Sequence, residues 1–226
     1  MRAGRVASVL GLVLLFGCGD DDGVGVDDGG GTPDPSNPLM NPAAFNETAP
    51  DVFSAHFETS KGDLVIGVQR DWAPIGADRF FNLVKNKYYD DVRFFRVRAG
   101  FVVQFGMHGD HLVNQAWENH PLLDEPVTQR NLRGFVTFAK TSSPNSRTTQ
   151  VFINLVDNSD LDDSGFAPFG QVKEGMDVVD QLFSGYGDLP IQQIIATLGN
   201  AYLTESFPNL DYVERASIVL PAVGGA

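Results

Sequence analysis

Residues 88–110 read YYDDVRFFRVRAGFVVQFGMHGD, and two apolar runs within them, 92–97 and 101–105, flank the joint Arg98-Ala99-Gly100. Short runs of aromatic and β-branched residues around a glycine-containing joint form the pattern of a β-hairpin. Arg96 is the odd residue on it, set among Phe94, Phe95, Val97 and Phe101. Placing a guanidinium there costs desolvation, so the fold keeps it either as a snorkelling or salt-bridged side chain or because it has a task. These residues alone leave both readings open.

Working outward, 56–59 and 64–68 alternate in strand fashion around Ser60-Lys61-Gly62-Asp63, a turn whose glycine tolerates positive φ. Beyond Pro74, residues 77–87 bring Phe80, Phe81 and Val84, followed by Tyr88, to helical spacing, so an amphipathic helix is expected there. On the other side, 107–119 reads as a loop carrying His108 and His111, with His120 close by. No cysteine follows position 18 and no regular element is expected to fix the geometry, so no metal site is assigned. Strands are expected at 133–139 and 150–155, separated by TSSPNSRTT, whose small polar residues suit close approach by another peptide. A strand at 167–172, a helix at 176–183, a further helical segment within 191–202 and a closing strand at 212–220 complete the reading. Asp160 to Gly165 imitates the opening of a calcium loop, but its twelfth position is Gln171 rather than a bidentate glutamate, and the site is rejected.

Phe94, Phe95, Arg96, Val97, Gly100, Phe101, Gln104 and Gly106 fall in register with F-[aromatic or His]-R-[V/I]-x-x-G-F-x-x-Q-x-G, the signature of the cyclophilin peptidyl-prolyl isomerases. GFVTFAKTSSPNSRTTQVFIN (134–154) resembles that family's strand, small-residue loop and S/T-Q-F-F-I strand. LDDSGFAPFGQVKEGMDVVD (161–180) resembles its L-D-x-x-[HFY]-x-x-F-G-x-V-x-x-G-M-x-V-[VI] segment, with one extra residue before the aromatic position. The resemblance spans roughly 52–220 and implies a mainly β fold: a closed antiparallel eight-stranded barrel capped by two helices, here with an extra C-terminal helical segment. It implies no cofactor. Arg96 matches the family's catalytic hydrogen-bond donor and Gln104 the residue that helps orient it. Phe101, Val102, Phe138, Ala139, Lys140, Gln150, Phe152, Leu161 and Phe166 match substrate-binding positions, with the backbone at Lys140 holding the residue before the proline. Phe105 stands where the family has a small residue, Val102 and Phe138 where it usually has methionine, and Phe166 where it often has histidine. These departures keep the pocket apolar and bear on substrate preference. Arg98, one strand repeat from Arg96, is the rival for its role.

The N-terminus reads as an address. Arg2 and Arg5 precede an apolar core, 6–16, too short to span a bilayer, and Leu15-Phe16-Gly17-Cys18 resembles a lipobox. Residues 1–17 are then a lipoprotein signal peptide and Cys18 carries the lipid; an ordinary secretory signal with a chance cysteine is the alternative. Residues 18–50, rich in Asp, Gly, Pro and Asn, read as a disordered acidic tether, and 51–226 as the isomerase domain. Either signal places the mature chain outside the cytoplasm, and the lipobox anchors it to a membrane of the cell envelope. The whole chain has 16 basic and 29 acidic residues; losing Arg2 and Arg5 leaves 14 − 29 = −15, so nucleic acid is excluded as a partner. The expectation is a monomeric isomerase acting on proline-containing exported proteins. Its rivals are a non-catalytic proline-peptide binding module and a small-ligand carrier barrel, the latter disfavoured by 17 phenylalanines, enough to fill a small interior.

Overall fold

The computed structural model describes Asp34 and residues 36–221. Cys18, the signal peptide and the start of the tether lie outside the described residues. β1 (Val52–Thr59) and β2 (Gly62–Gln69) pair along their full length, and Gly62 closes the turn at φ +122°. Alternation sends Phe53, Ala55 and Phe57 inward from β1 and Leu64, Ile66 and Val68 from β2. α1 (Pro74–Lys85) begins on a proline that needs no N–H partner and lays Ala77, Phe80, Phe81, Leu83 and Val84 on the sheet. Phe80 meets Phe169 at 4.8 Å and Phe57 at 6.1 Å between ring centroids. Burying such a ring stabilises the fold by about 1.5–3 kcal/mol.

The remaining elements are β3 (Arg96–Arg98), β4 (Val102–Phe105), α2 (His111–Glu118), β5 (Phe135–Phe138), β6 (Val151–Asn154), β7 (Pro168–Glu174), α3 (Met176–Asp180), α4 (Gln192–Leu198), α5 (Asn200–Ser206) and β8 (Val213–Val219). All ladders are antiparallel, and the eight strands run in the order β3-β4-β6-β5-β7-β2-β1-β8. The result is an open half-barrel rather than the closed barrel expected, because β3 and β8 are its two edges and, among the described residues, no ladder joins them. Only 96–98 of the first run pair with β4, and the residues before them reach the start of β8 through single contacts: Asp91 and Phe94 donate N–H bonds to the carbonyls of Val213 and Asp211, each at 2.9 Å, beside an isolated Arg93–Tyr212 bridge.

Three other stretches depart from expectation. Residues 111–118 form a helix, not a loop: Asp110 caps it by accepting the Leu112 N–H at 2.9 Å, and Val113 and Trp117, one turn apart, are buried. Residues 36–50 are not a free tether. Leu39 is buried and its carbonyl accepts the Trp117 indole N–H at 2.9 Å, while Phe45 meets the Trp117 ring edge-on at 5.2 Å. The helical segment near 191 is two helices, broken at Gly199, whose φ of +58° interrupts the run.

Candidate active site

Register builds the site. Arg96 lies opposite Gln104 across β3 and β4, and Gln104 opposite Phe152 across β4 and β6, so the three side chains share one face of the sheet. The intervening row, Val97, Val103, Ile153 and Val136, points into the core. Arg96 Nη1 donates to Gln104 Oε1 at 3.1 Å, and Gln104 Nε2 donates to Gln150 Oε1 at 2.8 Å. Gln104 is itself buried, so its amide reports one fixed geometry from Gln150 to the guanidinium. Arg96 also lies 5.6 Å from the Phe101 ring centroid, and its Nε donates to Asp188.

Arg96, Phe101, Gln104, Gln150 and Phe152 line a cavity of about 280 Å³ together with Val102, Ala139, Lys140, Leu161 and Phe166. The structure thus brings ten of the eleven expected catalytic and binding residues to one pocket. Phe138 is the exception. It pairs with Val151 on the core face, is fully buried and meets Phe169 at 5.1 Å, so it supports the site from inside the fold and does not line it. Strand alternation from Thr137, opposite Phe152, dictates that placement.

The far wall depends on an amide network. Asn131 Nδ2 donates to Asp162 Oδ1 and to the Phe166 carbonyl, both at 2.8 Å, and Asn158 Nδ2 donates to the Phe101 carbonyl at 3.0 Å and to Asn154 Oδ1 at 2.8 Å. This holds Phe101, Leu161 and Phe166 across from Arg96. The Ser159 hydroxyl and N–H on Asp157 keep that carboxyl below its usual range and fix the turn entering Leu161. Behind the site, burial pulls Arg79 down to about 10; its Nη1 serves the carbonyls of His120 and Thr148 at 3.0 and 3.1 Å. Among the described residues no group of three His, Cys, Asp or Glu is placed to hold a metal ion. The pocket offers the Arg96 guanidinium with a buried relay behind it, an apolar half opposite and the Lys140 ammonium over the Phe166 ring, an arrangement suited to a small ring bearing a weakly basic nitrogen.

A family model described as cyclophilin type peptidyl-prolyl cis-trans isomerase/CLD matches residues 54–197, more than half of the chain. The chain is a member of the cyclophilin-type peptidyl-prolyl cis-trans isomerases. Among cyclophilin relatives, peptidyl-prolyl cis-trans isomerase A of Dickeya dadantii is 34% identical over 64% of this chain and 79% of its own length. A peptidyl-prolyl cis-trans isomerase of Acinetobacter baylyi is 38% identical over 55% of this chain and 69% of its own. A cyclophilin-type isomerase of Cryptosporidium parvum superposes with a TM-score of 0.57 at 18% identity, covering 75% of this chain and 99% of that one, which shows the shared fold. As a cyclophilin, this enzyme catalyses cis–trans isomerisation of X-Pro bonds.

The sequence missed Thr141, Ser146, Thr148 and Gln192 on the pocket wall, and Asp188 on Arg96. The first three belong to the small polar loop already marked for close approach. For Gln192 and Asp188 there was no local signal: Gln192 belongs to the helical segment within 191–202, to which the sequence assigned no task, and Asp188 to the turn just before it.

Proposed function

We propose that Arg96 is the catalytic donor of a lipid-anchored envelope isomerase that acts on X-Pro bonds of exported proteins. Rotation about such a bond faces a barrier of about 18–20 kcal/mol because the planar amide is resonance-stabilised. A donor aimed at the proline nitrogen favours the twisted, pyramidal form and therefore acts at the transition state alone. The observation that carries this reading is the Arg96–Gln104–Gln150 chain at the edge of the pocket, which keeps a permanently charged donor there by its Nη1. Phe101, Val102, Phe152, Leu161 and Phe166 receive the proline ring. Ala139, Lys140 and Gln150 meet the peptide, with the Lys140 main chain holding the residue before the proline. Arg98, whose side chain is 57% exposed against 27% for Arg96, serves as the matched control.

In a protease-coupled assay on a proline tetrapeptide, Arg96→Ala is expected to lower kcat/KM by at least about tenfold, and Arg98→Ala to stay within about threefold of the parent. Equal activity of Arg96→Ala and the parent defeats the assignment. The lipobox at 15–18 and the acidic stretch behind it support attachment to a membrane and work outside the cytoplasm. The chain acts as a monomer in this reading, with proline-containing polypeptides as its partners.

A further inference from the structure

Arg96 is held at two nitrogens, and only one of its partners belongs to the central hairpin. The other is Asp188, which accepts the Arg96 Nε–H through Oδ1 while its Oδ2 stands 3.9 Å from Arg98 Nε. The backbone puts it there: Gly187 pairs with Val97 in an isolated antiparallel bridge, so the next residue emerges beside the two arginines that flank Val97. Gly187 itself sits at φ +52° inside turns closed by Gly187 N–H to the Ser184 carbonyl at 3.1 Å and Leu189 N–H to the Tyr186 carbonyl at 2.9 Å.

This loop is braced from behind by the segment that has no other evident task. Tyr186 packs between Phe183 at 4.9 Å and Phe207 at 5.1 Å. α4, α5 and the chain after them close a second apolar cluster in which Ile195, Leu203 and Leu210 meet Phe95 and Met107. Phe95 precedes Arg96, so one cluster ties the loop carrying Asp188 to the strand carrying the arginine.

A guanidinium offers five N–H donors on one rigid plane. A single partner at Nη1 leaves that plane free to swing about the bond it makes; a second at Nε removes the swing and leaves the remaining donors directed at the pocket. The carboxylate does not neutralise the site, because two arginines share it and the trio keeps a net positive charge. We propose that Asp188 is a positioning residue for Arg96, held in place by the 183–210 segment, so that the donor meets the proline nitrogen already oriented. The inference rests on the reading of Arg96 as that donor.

Asp188→Ala, Asp188→Asn, Arg96→Ala and the Asp188→Ala/Arg96→Ala double variant of the full chain separate the two ideas. Asp188→Ala is expected to lower kcat/KM about three- to tenfold, with the loss in kcat and KM within about twofold of the parent. Asp188→Asn, which retains an acceptor oxygen for Nε–H, is expected to recover most of that loss. In the Arg96→Ala background Asp188→Ala is expected to cost nothing further. The Arg96 Hε resonance, shifted downfield by the carboxylate, is expected to move upfield in Asp188→Ala. Parental turnover in Asp188→Ala, a loss confined to KM, or an equal loss without Arg96 each overturns the positioning role while leaving Arg96 as donor intact. Parental turnover in Arg96→Ala overturns the donor reading and this inference with it.

Discussion

Replacing Glu125 by alanine is expected to produce the largest single loss of stability outside the apolar core. The Glu125 carboxylate accepts the Ile75 N–H at 2.5 Å and the Gly76 N–H at 2.9 Å, capping the first turn of α1, and accepts Arg147 Nη1 at 2.9 Å. The Arg147 and Glu125 side chains are 2% and 4% exposed, so water does not screen the pair. Removing the carboxylate leaves a buried guanidinium with the Leu123 carbonyl on Nη2 and with an Nε that already lacks a partner among the described residues. Breaking a buried pair from one side costs about 3–5 kcal/mol, and loss of the helix cap adds about 1 kcal/mol. For a domain of this size each 1 kcal/mol is worth about 2–4 °C, so Tm is expected to fall by roughly 10–20 °C. Glu125→Gln keeps one acceptor for the α1 amides and is expected to fall between. Arg147 stands between Ser146 and Thr148 on the pocket wall, so turnover measured well below Tm is expected to drop as well. The readout is thermal unfolding by circular dichroism at neutral pH. A Tm within 3 °C of the parent in Glu125→Ala would show that water relieves the exposed guanidinium and that the pair contributes little.

Burial lowers the His108 pKa, and its Nδ1 accepts the Asp110 N–H at 3.0 Å. A histidine held neutral in the fold contributes stability that is complete above its unfolded pKa of about 6.5 and is lost as pH falls toward the lower folded value. His108→Gln is expected to flatten the slope of the denaturation midpoint between about pH 5 and 7 relative to the parent; an unchanged slope sinks the assignment. Cys18→Ser is expected to release the protein from membranes, because no helix among the described residues is long and apolar enough to cross one. Persistence of that variant in the membrane pellet after a salt wash defeats the lipobox reading. Strongly cyclosporin-sensitive family members resemble one another in a tryptophan just before the leucine matching Leu161, where this chain has the exposed Asp160, absent from the pocket wall. Weak inhibition is therefore expected, with Asp160→Trp raising affinity about thirtyfold or more at unchanged kcat/KM; nanomolar inhibition of the parent contradicts this.

Legibility in the sequence followed the range of the interactions involved. β1, β2 and α1 were readable because their apolar residues repeat at periods of two and 3.6, and neighbours along the chain set those periods. Arg96 and Gln104 were readable because they lie eight positions apart on one hairpin. Phe138 faces the core because it alternates with Thr137, which lies opposite Phe152; the family resemblance carries the residue type at a position and not the face it takes. α2 was missed because eight residues with two buried positions give a period too little room to show, and its stability comes from Trp117 meeting Leu39 and Phe45, far upstream. The same contacts order 36–50, whose composition alone reads as unfolded.

The second half of the arginine's environment was illegible for a stronger reason. Gln104 reaches Arg96 through a ladder whose register the hairpin dictates, whereas Asp188 reaches it through a single bridge at Gly187 and a cluster assembled from Phe95, Met107, Ile195, Leu203 and Leu210. No one of these residues announces the contact, since an aspartate in a glycine-rich turn is ordinary and the apolar residues of α4 and α5 also suit a simple surface helix pair. Only their joint packing turns a surface carboxylate toward a guanidinium 92 positions away. Closing that long a loop costs entropy that one half-exposed ion pair, worth at most about 1 kcal/mol, does not offset. The apolar cluster supplies the difference, so the orientation of Arg96 depends on residues that never approach the substrate. On this account Leu203→Ala, which touches neither arginine nor pocket, is expected to lower kcat in the same direction as Asp188→Ala, and unaltered turnover in a folded Leu203→Ala protein would break the link between the cluster and the site.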